Sequence, residues 1–241
     1  MLGLLVQARQ VEAAAEVHRL NVVLSAIPTQ VSPKDFNDLL DRYNRQVLGP
    51  KGIEGIKSIE FAWLFDAEMR YFVRQNVAVS AGVGQLRRQS AREVLPGLQQ
   101  DIQLRAEILS VPVHVGAAYY FQAYNQGDFQ ARAYLGGGFQ NNVYSFARLH
   151  AVEAGTDFST TLGGTYEISG RGDSPGYYVE TGAHMFFATR YSVMLGFMYR
   201  SSEIRDLEGT LIADGRKMPL GPIYDLDTSG VGARMSLAIG F

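Results

Sequence analysis

The residues of this 241-residue chain that could do chemistry are two histidines and a set of charged side chains. His114 and His184 alternate with apolar residues in segments rich in charge, and a histidine beside a carboxylate can act as a general base or a metal ligand. The charges carry both signs, so they could equally pair with one another away from water. We predict such a paired network, with a gated path for protons, ions or solutes as the alternative. The residues predicted to share this inward face are Glu60, Asp66, Glu68, Arg70, Arg132, Glu180, His184, Arg200 and Arg234.

Strict alternation of apolar and polar residues defines the elements that carry these side chains. The clearest case is 58–73, where Phe61, Trp63 and Phe65 begin an apolar series on odd positions and charged residues occupy even ones. A period of two places the two sets on opposite faces of a β-strand. Eight segments follow this pattern, at 20–26, 58–73, 77–84, 102–121, 129–142, 177–187, 191–200 and 230–241.

One of these segments changes phase partway along. In 102–121 the apolar residues occupy even positions up to Ile108 and odd positions from Val111 onward. The change falls near Ser110 and Pro112, and a bulge is one of the few places where a strand accepts proline. The sequence therefore predicts a β-bulge here.

The connections between these segments alternate between short and long. Short turns are expected at 74–76, 122–128 and 188–190, and long external segments at 28–56, 87–101, 147–175 and 203–228. This sorting is typical of transmembrane barrels, whose periplasmic turns are short. The predicted fold class is therefore all-β, an eight-stranded antiparallel transmembrane β-barrel. A soluble lipocalin-like barrel is the alternative, but it would need a polar exterior.

The first long segment contains a predicted helix. Ser32 would be its N-cap, Pro33 its first residue and Asp35 an acid in its first turn. We expect it in the first extracellular loop, packed over the barrel rim or at the lipid interface, with a lid or a docking helix as alternatives. Its apolar face would be formed by Phe36, Leu39, Leu40, Tyr43 and Val47.

Composition excludes several classes of function. Lys and Arg number 22 against 24 Asp and Glu, which argues against a nucleic-acid partner. The absence of cysteine excludes disulfides and thiolate chemistry. We predict no cofactor and no metal. The apolar stretch Leu2–Val6 suggests that 1–15 are the remnant of a signal peptide, with a frayed terminal segment as the alternative, and that 16–241 form the barrel domain.

The last strand carries a resemblance to a known family. The alternating stretch Val231–Phe241, which ends on phenylalanine, resembles the C-terminal signature of bacterial outer-membrane barrels. With its eight strands, 16–241 looks like the small barrels that include the OmpA transmembrane domain, OmpX and OmpW. The resemblance implies a Gram-negative outer-membrane location and periplasmic termini. It also implies contact with outer-membrane lipid and lipopolysaccharide, and recognition of Phe241 by the barrel-assembly machinery.

Two enzymes of the outer membrane, a lipid A deacylase and a lipid A palmitoyltransferase, make a catalytic role worth testing against the sequence. The deacylase pattern has serine two residues after histidine, whereas Gly116 and Phe186 follow His114 and His184. No grouping characteristic of the palmitoyltransferase is present. We therefore predict no catalytic residue and no enzymatic activity.

A short motif at 170–175 offers a different function. Arg171, Gly172 and Asp173 resemble the integrin-binding sequence of adhesion loops, and they fall in a predicted external segment. The same residue types serve in ordinary turns, so a plain loop tip is the alternative.

The predicted function is a structural or interaction role through the external loops. A narrow passive channel for small or hydrophobic solutes is the main alternative. A lipid-modifying enzyme and a soluble carrier are the remaining ones.

Overall fold

The computed structural model describes residues 18–94, 100–121, 124–126, 129–155, 164–187, 190–213, 216–222 and 224–241. The predicted signal-peptide remnant, 1–15, lies outside the described residues. The helical elements are α1 (Lys34–Tyr43), a π-helical turn (Asn44–Leu48) and a 3-10 turn (Gly49–Lys51). The strands are β1 (Leu20–Gln30), β2 (Phe61–Arg74), β3 (Val77–Val94), β4 (Gln100–Tyr120), β5 (Tyr124–Gln126), β6 (Phe129–Gly155), β7 (Gly164–Phe186), β8 (Tyr191–Ser201), β9 (Glu203–Ile204), β10 (Glu208–Ala213), β11 (Arg216–Pro222), β12 (Leu226–Asp227) and β13 (Gly230–Gly240).

Eight of these strands close into a barrel. Each pairs with its neighbours antiparallel, in the cyclic order β1-β2-β3-β4-β6-β7-β8-β13 and back to β1. Closure satisfies backbone groups that an open sheet edge would leave unpaired. The predicted eight-stranded antiparallel barrel is confirmed.

The barrel wall has an apolar outside and a polar inside. Met69, Val115 and Leu195 are among the large outward side chains that stay exposed, while Glu68 and Glu180 between such positions are buried. This is the polarity of a barrel that spans a membrane, and it contradicts the lipocalin-like alternative. None of the described helices is long and apolar enough to cross a membrane.

Four strands continue beyond the apolar belt and out of the membrane. We call this part, formed by the distal parts of β3, β4, β6 and β7, the external extension. The segments 87–101 and 147–175, predicted as loops, are therefore largely strands, and that prediction was wrong. The hairpin of β10 and β11 adds to the outer part of β7.

In this extension the polarity of the wall is inverted. On β4 the inward residues Leu104 and Ile108 are buried and apolar, while the outward residues Gln103 and Arg105 are exposed and polar. A strand that leaves lipid must turn its apolar side to a protein core, because its outer side meets water. The loop prediction failed because this inversion weakens the alternation expected of a membrane strand.

The predicted bulge is present at the level of Pro112, but its extra residue lies on the neighbouring strand. Val111 pairs with Tyr144 and Pro112 pairs with Asn142, which leaves Val143 of β6 without an opposite residue. Even-numbered residues of β4 therefore face inward along the whole strand. The phase change in its sequence reflects a switch of the apolar residues from the inward face to the outward face, not a change of side-chain direction. The true change of direction occurs on β6.

The predicted helix exists and begins one residue later than expected. It starts at Lys34 with Pro33 in the cap position and no side-chain capping bond, so Ser32 is not the N-cap. Phe36 and Leu40 are fully buried in the mouth of the barrel. The helix therefore plugs the barrel end opposite the short turns and does not lie at the lipid interface.

Two asparagines fix this helical segment to the chain that returns to β2. The Asn37 side chain accepts from the Ile59 amide at 2.8 Å and donates to the Ile59 carbonyl at 3.0 Å. Asn44 makes the same pair of bonds with Ile56, both at 2.9 Å. Each asparagine replaces a backbone partner that irregular chain would otherwise lack.

Candidate functional site

A cluster of five charged residues crosses the middle of the lumen. Arg70 donates from Nε to Glu68 at 2.6 Å and from Nη2 to Glu180 at 2.7 Å. Arg234 contacts Glu180 through Nη1, Glu68 at 3.3 Å and Asp66 at 3.8 Å. All five side chains are buried. Three carboxylates thus face two guanidinium groups in a site where each charge needs a partner.

Hydroxyl groups complete the bonding of the guanidinium groups. Arg234 donates to Ser25 and Ser236, each at 3.1 Å, and the two serine oxygens lie 2.9 Å apart. Arg70 donates from Nη1 to the Tyr120 hydroxyl at 2.8 Å. These contacts join four strands of the ring through their inward side chains.

The two histidines occupy different parts of this network. His114 Nε2 lies 2.8 Å from Asp66 Oδ1, at the edge of the charged cluster. His184 lies nearer the end with the short turns, where its Nδ1 is 3.1 Å from Tyr120 and its Nε2 is 2.8 Å from Ser192. The sequence suggested the histidines as candidates, and the structure brings both into the hydrogen-bonded lumen.

Glycines make room for these rings in a narrow barrel. A Cβ on Gly82 would lie 2.6 Å from His114 Nε2, and one on Gly116 would clash with the Tyr178 hydroxyl. An eight-stranded barrel is only just wide enough for its inward side chains. The inward residues of β3 in this region are therefore all small, and Gly116 leaves room on β4. The small residues of β3 are Ala78, Ser80, Gly82 and Gly84.

Asp66, Glu68 and His114 could in geometry alone hold a metal, since their ligand atoms lie within 4.8 Å of one another. The guanidinium groups argue against it. Both Glu68 oxygens already bind arginines, and Arg234 lies within 3.8 Å of Asp66. The arginines occupy the place that a cation would take, so the residues suit ion pairing better than metal binding.

Ser192 beside His184 is a contact that sequence reasoning missed, because the two residues lie across a hairpin and not at the deacylase spacing. A catalytic serine needs an accessible hydroxyl, a base and donors for an oxyanion. Ser192 and His184 are only 2% and 0% exposed. The second histidine nitrogen faces Tyr120 and not a carboxylate. The pair has the geometry of a structural bond.

The end of the lumen near the short turns is filled by an apolar layer, which we call the lower plug. The Phe72 ring lies 4.9 Å from the Tyr120 ring and 6.4 Å from the Phe186 ring. Such pairs pack tilted or edge to face, as aromatic rings prefer. The layer consists of Val23, Phe72, Ala78, Ala118, Tyr120, Tyr134, Phe186, Met194 and Ala238.

The opposite end is closed by a larger apolar core, the upper plug. It joins Phe36 and Leu40 of α1 to inward residues of the external extension such as Leu104 and Leu149. Phe36 packs on Tyr224 with ring centroids 5.6 Å apart. Burial raises the pKa of Tyr224, whose hydroxyl donates to the Ala147 carbonyl at 2.9 Å.

A layer of small polar residues lies between the charged cluster and the upper plug. Ser110 donates to Asn142 at 3.0 Å and lies 2.9 Å from Ser145. Asn142 and Ser145 flank the bulge on β6, so both side chains point inward. The sequence pattern did not predict this layer. Simple alternation would place an even-numbered and an odd-numbered residue on opposite faces, whereas the bulge brings Asn142 and Ser145 to the same face.

The predicted inward residues are not all in the lumen. Glu60 lies just before β2 and is exposed, so its assignment to the lumen was wrong. Arg132 lies at the barrel rim, where it donates to Gln130 at 2.8 Å and to the Gln75 carbonyl. Arg200 is buried apart from the cluster and donates to the Thr228 carbonyl at 2.6 Å. The buried members are Asp66, Glu68, Arg70, Glu180, His184, Arg200 and Arg234.

The predicted adhesion loop is not a loop. Arg171, Gly172 and Asp173 lie within β7, where Arg171 pairs with Phe146 on one side and Glu208 on the other. Their backbone is extended and flanked by strands, so the loop-tip interpretation was wrong. Phe241 follows β13 and its amide donates to the Leu20 carbonyl at 2.8 Å. Its recognition by an assembly machinery stays a prediction.

Comparison with known proteins gives fold-level similarity only. No family model and no curated protein sequence matches the chain. Neisserial surface protein A covers 92% of this chain and 97% of its own, at 12% identity and a TM-score of 0.43. The N-terminal β-barrel domain of Pseudomonas aeruginosa OprF gives the same coverages at 10% identity and 0.40. A major outer membrane protein from Thermus thermophilus covers 93% and 100%, at 11% and 0.43. The barrel assignment stands on the strand ladders described above.

Proposed function

We propose that the chain is a non-enzymatic outer-membrane barrel with a sealed lumen, acting through its external surface. The observation that carries this is the filling of the lumen in successive layers. The lower plug, the charged cluster, the small polar layer and the upper plug follow one another along the axis. Within the described residues, none of these layers leaves an open path that is lined by unpaired charges.

The apolar belt supports the membrane location. Aromatic side chains such as Tyr71, Tyr119 and Tyr191 lie outward near strand ends and stay exposed, as expected at a membrane interface. Leu20 pairs with Tyr71, so the first strand starts at the barrel end that carries the turn between β2 and β3. We assign that end, with both termini, to the periplasm.

The burial of His114, His184 and Ser192 supports a non-enzymatic role. His184 and Ser192 are buried at the level of the lower plug, because they pair with its members Met194 and Phe186. His114 is bonded to Asp66 inside the lumen. Activity on a lipid would require these groups to reach the outer surface of the barrel. The external extension, by contrast, is a broad exposed sheet and is the surface available to an extracellular partner.

Conductance of the refolded protein tests this proposal against the channel alternative. The full chain would be refolded in detergent, checked for heat-modifiable gel mobility, and incorporated into a planar bilayer. We expect compact migration without discrete current steps. As a matched variant, Phe36→Ala with Leu40→Ala should loosen the upper plug but leave conductance low, because the charged cluster remains.

Reproducible current steps from the unaltered protein would contradict the sealed lumen and favour the passive channel. Folding only in detergent-free buffer would contradict the membrane location itself. Hydrolysis of a lipid substrate that disappears in Ser192→Ala would contradict the non-enzymatic role.

A further inference from the structure

The lipid-facing wall carries an apolar groove on the side of β1, β2, β3 and β4. The groove is shallow and open to the lipid side, and its volume is about 470 Å³. Ala67 and Val83 are cross-strand partners at its centre, between the larger side chains around them. The outward residues that line it are Leu24, Phe65, Ala67, Val83, Gln85 and Val111.

The wall beside this groove is interrupted. The pairing of β3 with β4 runs through Val83 and Val113 and resumes at Leu86 and Ser110, skipping the residues between them. Pro112 lies in this gap and has no amide hydrogen to donate. A groove in a lipid-facing wall loses packing contacts unless something fills it, and the available filler is an acyl chain.

Arginines lie directly above the groove on the outward face of the external extension. Arg87 follows Gln85 by two residues on β3, a rise of about 7 Å along a strand. Trp63 is its cross-strand partner on β2. Arg87 bonds to Glu107 at 2.8 Å, yet its side chain is 52% exposed. Aromatic and cationic side chains together mark the boundary between lipid and water.

Two further arginines lie on the same face as this glutamate. Arg148 is the cross-strand partner of Glu107 on β6, and Arg105 lies two residues from it on the same face of β4. Arg148 also approaches Glu167 at 3.2 Å. Three arginines and two glutamates thus share this part of the outward face, so the patch keeps an excess of positive charge. Arginine forks are suited to bidentate binding of phosphate oxygens.

We propose that this wall binds a phosphorylated outer-leaflet glycolipid, with an acyl chain in the groove and its phosphate at Arg87, Arg105 and Arg148. The inference rests on the proposed membrane location and adds a site and a preference among lipid headgroups. The groove supplies affinity for any acyl chain, whereas the arginines discriminate phosphorylated from neutral headgroups. The occupant is a membrane lipid because the groove opens within the apolar belt.

The test measures which lipid stays with the protein. The refolded full chain is placed in phosphatidylcholine nanodiscs that contain equal traces of bisphosphorylated lipid A and its dephosphorylated form. Retained lipid is then quantified by native mass spectrometry. We expect about a tenfold preference for the phosphorylated lipid, the size of a strengthened charge-assisted contact of roughly 1.4 kcal/mol. Equal retention of the two lipids would overturn the proposal.

Two variants separate the headgroup from the chain. Arg87→Gln with Arg105→Gln and Arg148→Gln should abolish the preference, whereas Arg216→Gln with Lys217→Gln on β11 should keep it. Ala67→Leu should fill the groove and lower retention of both lipids, whereas Ala133→Leu, also outward but on β6, should not. If each variant and its control changed lipid retention equally, the proposed site would be wrong.

Two controls separate a lipid site from a simple phosphate site and from a failure of the barrel itself. If inorganic phosphate displaces the lipid and Ala67→Leu has no effect, the patch is a phosphate site and the lipid proposal is wrong. Heat-modifiable mobility is recorded for every variant. Its loss from the unaltered protein would refute the membrane barrel, whereas its retention without lipid preference would refute this inference alone.

Discussion

The membrane-spanning part of the barrel and the external extension use the same strands with opposite polarity. On β4, outward Val113 and Val115 are apolar below the level of the bulge, while outward Gln103 and Arg105 are polar above it. The inward side changes in the reverse sense, from His114 and its charged neighbours to an apolar core. The comparison shows that solvent outside the wall, rather than strand geometry, decides which face is apolar.

The bulge on β6 allows the two regions to meet in one continuous sheet. Asn142 and Ser145 both point inward because Val143 has no opposite residue. Below the bulge the inward residues have even numbers, and above it Ala147, Leu149 and their neighbours have odd numbers. The one extra residue thus allows even-numbered residues to face inward below the bulge and odd-numbered residues to face inward above it.

Deletion of Val143 would have the largest effect on this comparison. A shift of one residue moves every following side chain to the other face of the strand. We expect Ala147, Leu149 and Ala151 to turn outward, so that the external extension unfolds while the membrane barrel survives. Limited proteolysis of protein in detergent would show new cleavage above the bulge with unchanged heat-modifiable mobility. The substitution Val143→Ala keeps the register and should leave the proteolytic pattern unaltered.

Removing one charge from the lumen should cost the membrane region about 3–5 kcal/mol of unfolding free energy. Glu180→Gln removes one of the two carboxylates that Arg70 and Arg234 share, and Glu68 is the other. Urea unfolding in lipid vesicles measures the loss. Glu203→Gln breaks an exposed pair with Arg205 and should leave the unfolding curve unchanged. Equal curves for both variants would show that the cluster does not stabilise the barrel.

The same substitution at two outward positions of β4 compares the two environments directly. Val115→Arg places a charge on the lipid face and should destabilise the barrel by about 2–4 kcal/mol if it lies near the membrane midplane. Gln103→Arg lies on the same side of the strand in the external extension and should have little effect. Equal destabilisation in vesicle unfolding would contradict the polarity inversion.

The smallest expected effect concerns the contact between the loop before β12 and the upper plug. Tyr224→Phe removes the hydrogen bond to the Ala147 carbonyl but keeps the ring against Phe36. We expect a loss of about 0.5–1.5 kcal/mol, confined to the external extension. Hydrogen exchange of amides in β6 and α1 should rise locally, with amides of β1 and β13 unaffected. Faster exchange throughout the barrel would mean that the two regions unfold together.

Sequence alternation predicted the membrane strands well because lipid imposes a simple rule on them. Every outward side chain from Phe61 to Val73 on β2 is exposed, and Asp66 and Glu68 point inward as the pattern indicated. The rule ends at the lipid boundary, which is why Glu60 was misplaced and the outer half of β7 was read as a loop.

The site could be predicted only in its residue types. The charged members of the lumen follow from parity, but the pairing of Arg70 with Glu180 depends on which strands face each other across the barrel. The contact of His184 with Ser192 and the groove around Ala67 depend on register in the same way. A single sequence does not specify these distances.

Cysteine scanning along β4 tests the central claim most directly, since the chain has no cysteine of its own. Single cysteines would replace Gln103, Arg105, Val113, Val115 and Ala117, and each variant would be labelled with a water-soluble maleimide in lipid vesicles. We predict rapid labelling at the first two positions and protection at the last three until detergent is added. Equally rapid labelling at all five positions in vesicles would contradict a membrane barrel with an inverted external extension.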